Sequence, residues 1–473
     1  MSRGSRYLTL VVLVATGCTM GPDYERPVVP EQGVFRDTTL SSDTTVDLPA
    51  DSIADLVWWE LFQDSTLQGL IETALENNQE LDVALARIAE ARANLGFSRA
   101  DLYPEVNAIG NAGVSVSDGD VTGSGLIAAD VRWQIDLWGK VRRSNEAAFN
   151  ELLGTEEAYR AVTISLVADV ASFYLFLRDL DNRQLISERT VDTRRATLDI
   201  IRARFDAGAV SEVDLNQAEI QLYEAEATVE VFRRGRAQTE NAISVLVGVP
   251  PMRIARGQTL AEQIFPPALP LGLPSELVDR RPDVLQAERQ LHAQTARIGV
   301  AEAMKFPSLT LGSGLGVSFG SATVGFLDAA ADVLAPIFNA GRNQSRVDAE
   351  VARTQQALAR YEQSILFAFR EVEDAMVAVR TYEAEYDRRL LQLAAARNAT
   401  DLSWVRYEGG LTSYLEYLEL QRSLFSAELK ASETRQLQLT SVVELYKALG
   451  GGWNPVADAV DDSPDDAGES PEF

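Results

Sequence analysis

Few side chains in this sequence are placed for catalysis or metal binding. Its one cysteine, Cys18, has no partner for a disulfide within the chain. Its one histidine, His292, stands in a polar helical stretch without a cysteine or an acidic cluster at metal-ligand spacing. The sequence also lacks a phosphate-binding loop, a glycine-rich dinucleotide turn and a GxSxG motif. We therefore expect neither an enzyme nor a metal or cofactor site, no energy source encoded in the chain, and a surface position for His292.

Cys18 stands at the end of a signal-like segment. Arg3, Arg6 and the apolar run YLTLVVLVAT precede it, which is the layout of a secretory signal peptide over residues 1–17. The run is too short to span a bilayer as a helix. The letters ATGC resemble a bacterial lipobox, and this resemblance implies that Cys18 becomes the acylated first residue of the mature protein. The alternative is an incidental buried thiol.

Two acids, Glu416 and Glu419, are spaced three residues apart, so on a helix they share a face. They belong to residues 406–425, which repeat the pattern of residues 204–223: arginine, aromatic, acid, glycine, serine and a second acid keep their order. In the first copy Asp214 corresponds to Glu416. An acidic pair on a helix is also compatible with an ordinary solvated face.

Both copies contain the signals of a turn between two helices. Gly208 in the first copy and Gly409 with Gly410 in the second are placed to stop a helix in the left-handed conformation. Ser211 and Ser413 are placed to cap the helix that follows. Each copy is therefore predicted to be the end of a helical hairpin.

The repeat extends over most of the 473 residues. It divides the chain into an N-terminal extension (18–63), repeat 1 (64–250), a linker (251–274), repeat 2 (275–452) and an acidic tail (453–473). The tail has little that could pack, and we expect it to be disordered.

Each repeat is predicted to run as a helix, a β-hairpin, a very long helix and a second helix. The predicted ranges are 105–137, 140–206 and 212–247 in repeat 1, and 308–338, 342–408 and 414–449 in repeat 2. Residues 342–408 contain neither glycine nor proline, and at ~1.5 Å per residue one helix there would be on the order of 100 Å long. Its apolar residues recur every 3.5 positions, which predicts supercoiling. For the heptads alone, a coiled-coil rod is the simpler interpretation.

The predicted strands alternate between apolar and polar residues. This is clearest in residues 131–137 and 308–319, and a weaker fourth strand with a proline is expected over 329–336. Alternation suits a membrane barrel and a soluble sandwich equally. Four strands cannot close a barrel, however, and open edges are not tolerated in lipid. A membrane location therefore requires several chains to share one barrel.

Four stretches carry a resemblance to a known family: GCTMGPDYERP at 17–27, WWELFQDSTLQGLIETALENNQEL at 58–81, LPSELVDRRPDVLQAE at 273–288, and RYEGG with YLEYLELQRSLF within 406–425. With these the chain resembles the outer-membrane factors, the TolC-like channels, in the lipoprotein branch that serves tripartite efflux pumps of the resistance-nodulation-division type.

The resemblance implies an α+β membrane protein. In this family three chains, each with four strands, build one 12-stranded transmembrane barrel that continues into a long periplasmic barrel of coiled-coil helices. The implied location is the outer membrane of a Gram-negative bacterium, with a lipid anchor and an extension into the periplasm. The resemblance also implies that residues 18–63 are the lipid-anchored extension and, with residues 251–274, contribute an equatorial band around the helical barrel. The implied partners are two further copies, a periplasmic adaptor, an inner-membrane pump and outer-membrane lipid.

The resemblance also gives the doubled turns a place and a role. They correspond to the periplasmic tip, where Asp214, Glu416 and Glu419 match positions that face the pore. Arg406 and Tyr407 match the ties that hold the tip closed. Rings of acids favour cations at a pore mouth.

The formal charge of −27 argues against nucleic-acid binding.

The leading interpretation is a passive efflux duct that opens at its helix tips. The alternatives are an outer-membrane duct for type I protein secretion and a non-conducting structural coiled-coil lipoprotein.

Overall fold

A computed structural model describes residues 19–28, 59, 62–117, 120–264, 274–320 and 322–451. The predicted signal peptide, Cys18 and the acidic tail lie outside the described residues. In chain order the elements are α1 (Ser65–Asn77), α2 (Gln79–Ala100), β1 (Glu105–Ser117), β2 (Asp120–Ile135), α3 (Lys140–Asp206), α4 (Glu212–Leu246), α5 (Pro274–Arg280), α6 (Pro282–Ala303), β3 (Ser308–Phe319), β4 (Val324–Leu334), α7 (Arg342–Glu408) and α8 (Tyr414–Ala448).

The two long predicted helices form without a break, although the first contains Gly154. α3 and α7 each contain 67 residues, and the helices that follow them, α4 and α8, each contain 35. Gly139 and Gly341, with φ of +76° and +83°, stand just before the two long helices. The internal repeat is therefore visible in the lengths of the helices and in the conformation of the residues that start them.

Each repeat opens with two helices, where the sequence predicts one. In repeat 1 the break is at Asn78, whose Oδ1 accepts from the Glu80 amide (2.8 Å) and so caps α2. In repeat 2 it is at Arg281, and Pro282 takes the first position of α6, where its missing N–H is not needed. Asn78 Nδ2 donates to the Leu246 carbonyl (2.8 Å), and Arg281 Nη1 donates to the Ala448 carbonyl (3.0 Å). Both break residues thus bind the last turn of the final helix in their own repeat.

Two features restrict position 248, just beyond α4, to glycine: the backbone conformation and the lack of space for a side chain. Its φ is +71°, and a Cβ there would lie 2.0 Å from the Asn77 carbonyl oxygen. Gly208 has nearly the same φ, +72°, but nothing within 4 Å of its Cβ position. We predict that Gly248→Ala lowers the unfolding free energy by at least ~1 kcal/mol more than Gly208→Ala, since only the former adds a clash to the left-handed strain. Thermal unfolding of the two variants measures this, and equal losses would contradict it.

The four strands form one antiparallel sheet in the order β1-β2-β3-β4, so the expectation of four strands per chain is confirmed. The predicted position of the last strand was wrong. β4 runs from Val324 to Leu334 and not over 329–336. Pro336 lies beyond its end, because proline has no N–H to give to a ladder. The pairing of β2 with β3 joins the two repeats.

The register separates two faces of the sheet. Asp130 is opposite Gly314, and Gly314 is opposite Asp328, so the two aspartates share a face. Because side chains alternate between the two faces along each strand, the same face also carries Asn107, Arg132, Gln134, Thr310 and Asp332. The other face is apolar and largely exposed in the single chain, with Val106, Val114, Val121, Ile127, Leu315, Leu327 and Val333 each more than half exposed. An apolar face of this extent requires apolar surroundings.

The chain divides into two compact units. Unit 1 contains the sheet together with residues 84–159, 282–365 and the N-terminal segment; unit 2 contains α1, residues 160–281 and the chain from residue 366 onward. The sheet therefore belongs to unit 1, and both predicted tip turns belong to unit 2.

Residues 19–28, which we call the N-terminal strap, pack on the helices of unit 1. Arg143, with its side chain 5% exposed, donates to the Met20 carbonyl (3.2 Å) and to Asp23 (2.6 Å). Tyr24 stacks on His292 with ring centroids 4.3 Å apart, and His292 Nε2 lies 3.0 Å from Glu146 Oε1. The expectation of a surface histidine is corrected: the imidazole is half-buried because the strap covers it.

In unit 2 the residue before α1 organises a buried polar cluster. Asp64, 1% exposed, accepts hydrogen bonds from the Tyr174 hydroxyl (2.8 Å), Gln263 Nε2 (2.7 Å) and the Gln258 amide (3.1 Å). Burial, and then the bond to Asp64, raise the pKa of Tyr174. These bonds fix the part of the linker after repeat 1 against α1 and α3.

Candidate functional site at the helix tips

The first tip turn joins α3 to α4 through a left-handed glycine. Gly208 has φ of +72°, and the amide of Ala209 donates to the Arg204 carbonyl (2.8 Å), which closes the end of α3. Ser211 Oγ then accepts from the Asp214 amide (3.3 Å), and the Asp214 carboxylate accepts from the Ser211 amide (3.1 Å). This reciprocal pair is a capping box. Within the chain, the Asp214 carboxylate thus holds the start of its own helix.

The second tip turn has the same backbone and a different cap. Gly410 has φ of +71°, and the amide of Leu411 donates to the Arg406 carbonyl (2.8 Å), while Gly409 keeps a negative φ. Ser413 occupies the N-cap position with an extended backbone, yet its side chain makes no capping bond. The hydroxyl of Thr412 bonds to the Glu416 carboxylate instead. Only the first turn therefore has its helix start fixed by a serine side chain.

Glu416 and Glu419, the two predicted pore acids of the second hairpin, are exposed and weakly paired. Arg406 Nε lies 4.0 Å from Glu416 Oε1, and Arg422 Nη1 donates to Glu419 at 3.0 Å. All four side chains are about half exposed or more, and exposed pairs of this kind contribute about 0–1 kcal/mol. Within one chain, the Arg406–Glu416 pair cannot by itself hold the tip closed.

The sequence predicts that Leu415 and Leu418 take the packing face of α8, and the structure buries only one of them. Leu418 is 2% exposed as predicted, but Leu415 is 52% exposed. Tyr414, Tyr417 and Gln421 are buried with Leu418, and all four lie on one face at three- and four-residue spacing. The two tyrosines occupy the buried positions because their rings remove a larger apolar area from water.

Tyr407 joins the second hairpin to the first. Its side chain is 7% exposed and packs in a core cluster that contains residues of all four tip helices: Val191, Leu198, Ile201, Ala218, Leu222, Ala225, Val229, Tyr407, Tyr414, Tyr417 and Leu418. The guanidinium of Arg204 lies 4.9 Å from the centre of the Tyr407 ring. Among the described residues the buried Tyr407 hydroxyl has no hydrogen-bond partner. Tyr407 therefore acts here through its ring.

Sequence reasoning missed the aromatic group around Tyr407. Trp404 lies 4.8 Å from Tyr417, and Tyr407 lies 5.5 Å from Tyr414, measured between ring centroids. Burial, followed by the nearby Tyr417, Tyr407 and Asp214, raises the pKa of Tyr414. The sequence does contain a signal for this group. Tyr414 and Tyr417 are three residues apart on a helix that is predicted to pack, so they share one face.

A second missed residue is the buried Arg194 of α3. It is 3% exposed, donates from Nη1 to the Gln221 carbonyl (2.6 Å) and lies 5.1 Å from the centre of the Phe425 ring. Burial lowers its pKa, and Glu224 at 3.8 Å opposes that shift. A cavity of about 340 Å³ lies beside it, between α3, α7 and α8. Arg194 thus links α3, α4 and α8 below the tip, and no local pattern in α3 marks it.

An ion pair recurs in both hairpins at equivalent positions. Arg195 pairs with Glu226 (2.9 Å) in the first, and Arg397 pairs with Glu428 (3.1 Å) in the second. Each pair joins the long helix of its hairpin to the shorter one. The two hairpins therefore share this side-chain contact as well as their backbone.

No ligand chemistry is indicated at the tips. Among the residues that the structure describes, no group of three or more His, Cys, Asp or Glu side chains is arranged to hold a metal ion. The site consists of two turns at left-handed glycines, a buried aromatic core and exposed charges.

Fold and site together define a subunit with a two-faced, four-stranded sheet and two long helical hairpins that meet in an aromatic core. Residues 70–249 and 273–451 each match the family model described as outer membrane efflux protein. The chain belongs to this family, and the two matches coincide with its two repeats.

Curated relatives and a solved structure agree with this family. Over 454 residues the chain is 33% identical to the cation efflux system protein CusC of Escherichia coli O157:H7, covering 94% of this chain and 97% of that protein. It is 33% identical over 477 residues to the toluene efflux pump outer membrane protein TtgC of Pseudomonas putida, covering 96% of each. The open-state structure of the Neisseria gonorrhoeae MtrE outer membrane channel aligns with a TM-score of 0.81 and 32% identity, over 92% of this chain and 98% of that one. The predicted family and efflux function are confirmed.

Proposed function

We propose that three copies of this chain form a gated duct that conducts small molecules passively from a periplasmic pump to the exterior. The observation that carries the proposal is the sheet. β1 and β4 each have a strand partner on one side only, and the sheet has one apolar and one polar face. Pairing β4 of one copy with β1 of the next removes every edge and yields a 12-stranded barrel, with the polar face toward the lumen.

The partners follow from the relatives. CusC is named as part of a cation efflux system and TtgC as part of a toluene efflux pump. Since proteins similar to this chain serve such different compounds, we infer that selection occurs before the duct. The partners are then an inner-membrane pump of the resistance-nodulation-division type and a periplasmic adaptor that engages the helix tips.

The proposed location is the outer membrane, with the helices in the periplasm. In this proposal Cys18 is acylated and anchors the chain in the membrane. The strap that follows Cys18 in the sequence runs along α3 and α6. Acyl chains add about 0.8 kcal/mol per buried methylene, so two or more anchor a chain firmly.

The gate of this proposal is the tip. Six turns surround the pore mouth, two from each copy, and Asp214, Glu416 and Glu419 supply negative charge there. Opening moves the second hairpin away from the first, which requires the core around Tyr407 to separate. Two discrete packings of this kind make a two-state gate.

The test is single-channel conductance of the purified protein in planar bilayers. We expect small, flickering wild-type conductance and a severalfold larger, cation-selective conductance for Arg406→Ala. The ion-pair partner of Arg406 in the part of the chain that the structure describes, Glu416, is 4.0 Å away, so that Arg406 is available to a neighbouring copy. Arg422→Ala is the matched control. It removes an exposed arginine that is already paired at 3.0 Å on its own helix, and it should leave the channel closed.

Absence of conductance from folded, membrane-extracted wild type and Arg406→Ala alike would refute the duct. The structural lipoprotein rod would then be the better interpretation, and extracted membranes should contain no heat-resistant trimer.

A further inference from the structure

A cavity of about 320 Å³ lies in unit 1 at the base of the sheet. Its walls are mostly apolar and include Ile135, Leu137, Trp138, Phe306, Pro307 and Leu334. Trp138 and Phe306 stack with ring centroids 4.7 Å apart, and the Trp138 indole donates to the Pro307 carbonyl (2.7 Å). The aromatic wall of the cavity is therefore fixed in place by the chain itself.

The N-terminal strap begins beside this wall. The Met20 amide donates to the Trp138 carbonyl (3.0 Å). Gly139 has φ of +76°, and a Cβ there would lie 2.7 Å from Thr19 Cγ2 and 3.0 Å from Thr19 Cα. Thr19 thus lies directly on the backbone of Gly139, one residue from a wall of the cavity.

Further contacts hold the strap in this position. Arg143 binds the Met20 carbonyl and the Asp23 carboxylate. Gly21 crosses α6 so closely that a Cβ on it would lie 2.4 Å from Gly299 Cα. These contacts hold Thr19, which follows Cys18 in the sequence, beside the wall of the cavity.

We infer that this cavity binds one acyl chain of the lipid carried by Cys18. The inference rests on the proposed acylation. Ligand cavities of this size are lined mainly by apolar and aromatic side chains, and a saturated chain needs no polar partner. The sheet base is also where the apolar face of the strands ends, so the cavity lies at the level at which a lipid chain enters the bilayer.

The experiment uses the full-length chain with its own signal, expressed in a Gram-negative host that is fed a diazirine-labelled fatty acid. After irradiation the protein is purified and its cross-linked peptides are identified by mass spectrometry. We expect label on Cys18, and cross-links from it to peptides that contain Trp138 or Phe306. Leu334→Trp, which puts a larger side chain at a residue that lines the cavity, should reduce these cross-links to background. Ile337→Trp, at a 97% exposed site that does not line the cavity, should leave them unchanged.

The outcomes separate this inference from the proposed anchor. A chain without label on Cys18 would refute the lipid anchor, and this inference with it. A labelled Cys18 that cross-links only to other lipids would overturn this inference alone. A Cys18→Ser chain exported by a cleavable signal peptide tests whether a membrane phospholipid fills the cavity instead. Cross-links to the cavity peptides that persist in this variant would assign the cavity to a membrane phospholipid and would also overturn this inference.

Discussion

Tyr407→Ala is expected to hold the duct open. The substitution removes a ring that is 7% exposed and that joins four helices, and it also removes the partner of Arg204. Truncation of a buried aromatic residue costs about 3–5 kcal/mol. If about 3 kcal/mol of this loss destabilises the closed tip relative to the open one, the ratio of open to closed tips rises by roughly 100-fold, because each 1.4 kcal/mol changes an equilibrium about tenfold. Single-channel recordings should show long openings at full conductance.

Tyr407→Phe is the control that isolates the ring. The Tyr407 hydroxyl is buried without a partner among the described residues, and removal of such a group is neutral or stabilising. We expect this variant to conduct as little as wild type. If Phe opens the channel as much as Ala, closure depends on the hydroxyl and the packing account is wrong.

Leu327→Arg is expected to abolish the membrane-inserted trimer. Leu327 is 76% exposed on the apolar face of β4. An arginine on the lipid side of a barrel costs about 2–4 kcal/mol near the bilayer centre, and three copies would each add one. Heat-resistant trimer in outer-membrane extracts should disappear on denaturing gels.

The neighbouring residue supplies the matched control. Asp328 points to the polar face, opposite Gly314, so Asp328→Arg should leave the trimer intact and shift the selectivity of an opened channel toward anions. If Asp328→Arg abolishes the trimer and Leu327→Arg does not, the two faces have been assigned the wrong way round. The apolar face would then be an interior, as in a soluble sandwich.

In the proposed gate, packing within one chain contributes more to closure than charge does. The Arg406–Glu416 contact is long and exposed, whereas the aromatic core is buried and includes all four tip helices. Arg406 and Tyr407 are therefore expected to act differently. Tyr407 stabilises the tip inside its own chain, and Arg406 contributes only where a neighbouring copy offers a carboxylate.

Much of the architecture followed from local patterns. The near-absence of glycine and proline predicted the two long helices, and two-residue alternation predicted the strands. Gly208 and Gly410 marked the turns because left-handed backbone is accessible mainly to glycine. The helix breaks at Asn78 and Arg281 were missed although each has a local signal, since the Asn78 side chain caps α2 and Pro282 begins α6. Only their hydrogen bonds to a helix end about 170 residues away depend on the tertiary structure.

The sequence by itself determined the repeat, the lengths of the helices, the faces of the strands and the family, because each of these is written in local periodicity or in motifs. The tertiary structure alone decided which side of each helix is buried. Leu415 and Tyr414 are adjacent apolar residues, and only packing against Tyr407 and Leu222 places one inside and leaves the other exposed. Arg194 is buried although it is charged, because a carbonyl of α4 and a ring of α8 converge on it. Such choices depend on distant parts of the chain, and no sequence window contains them.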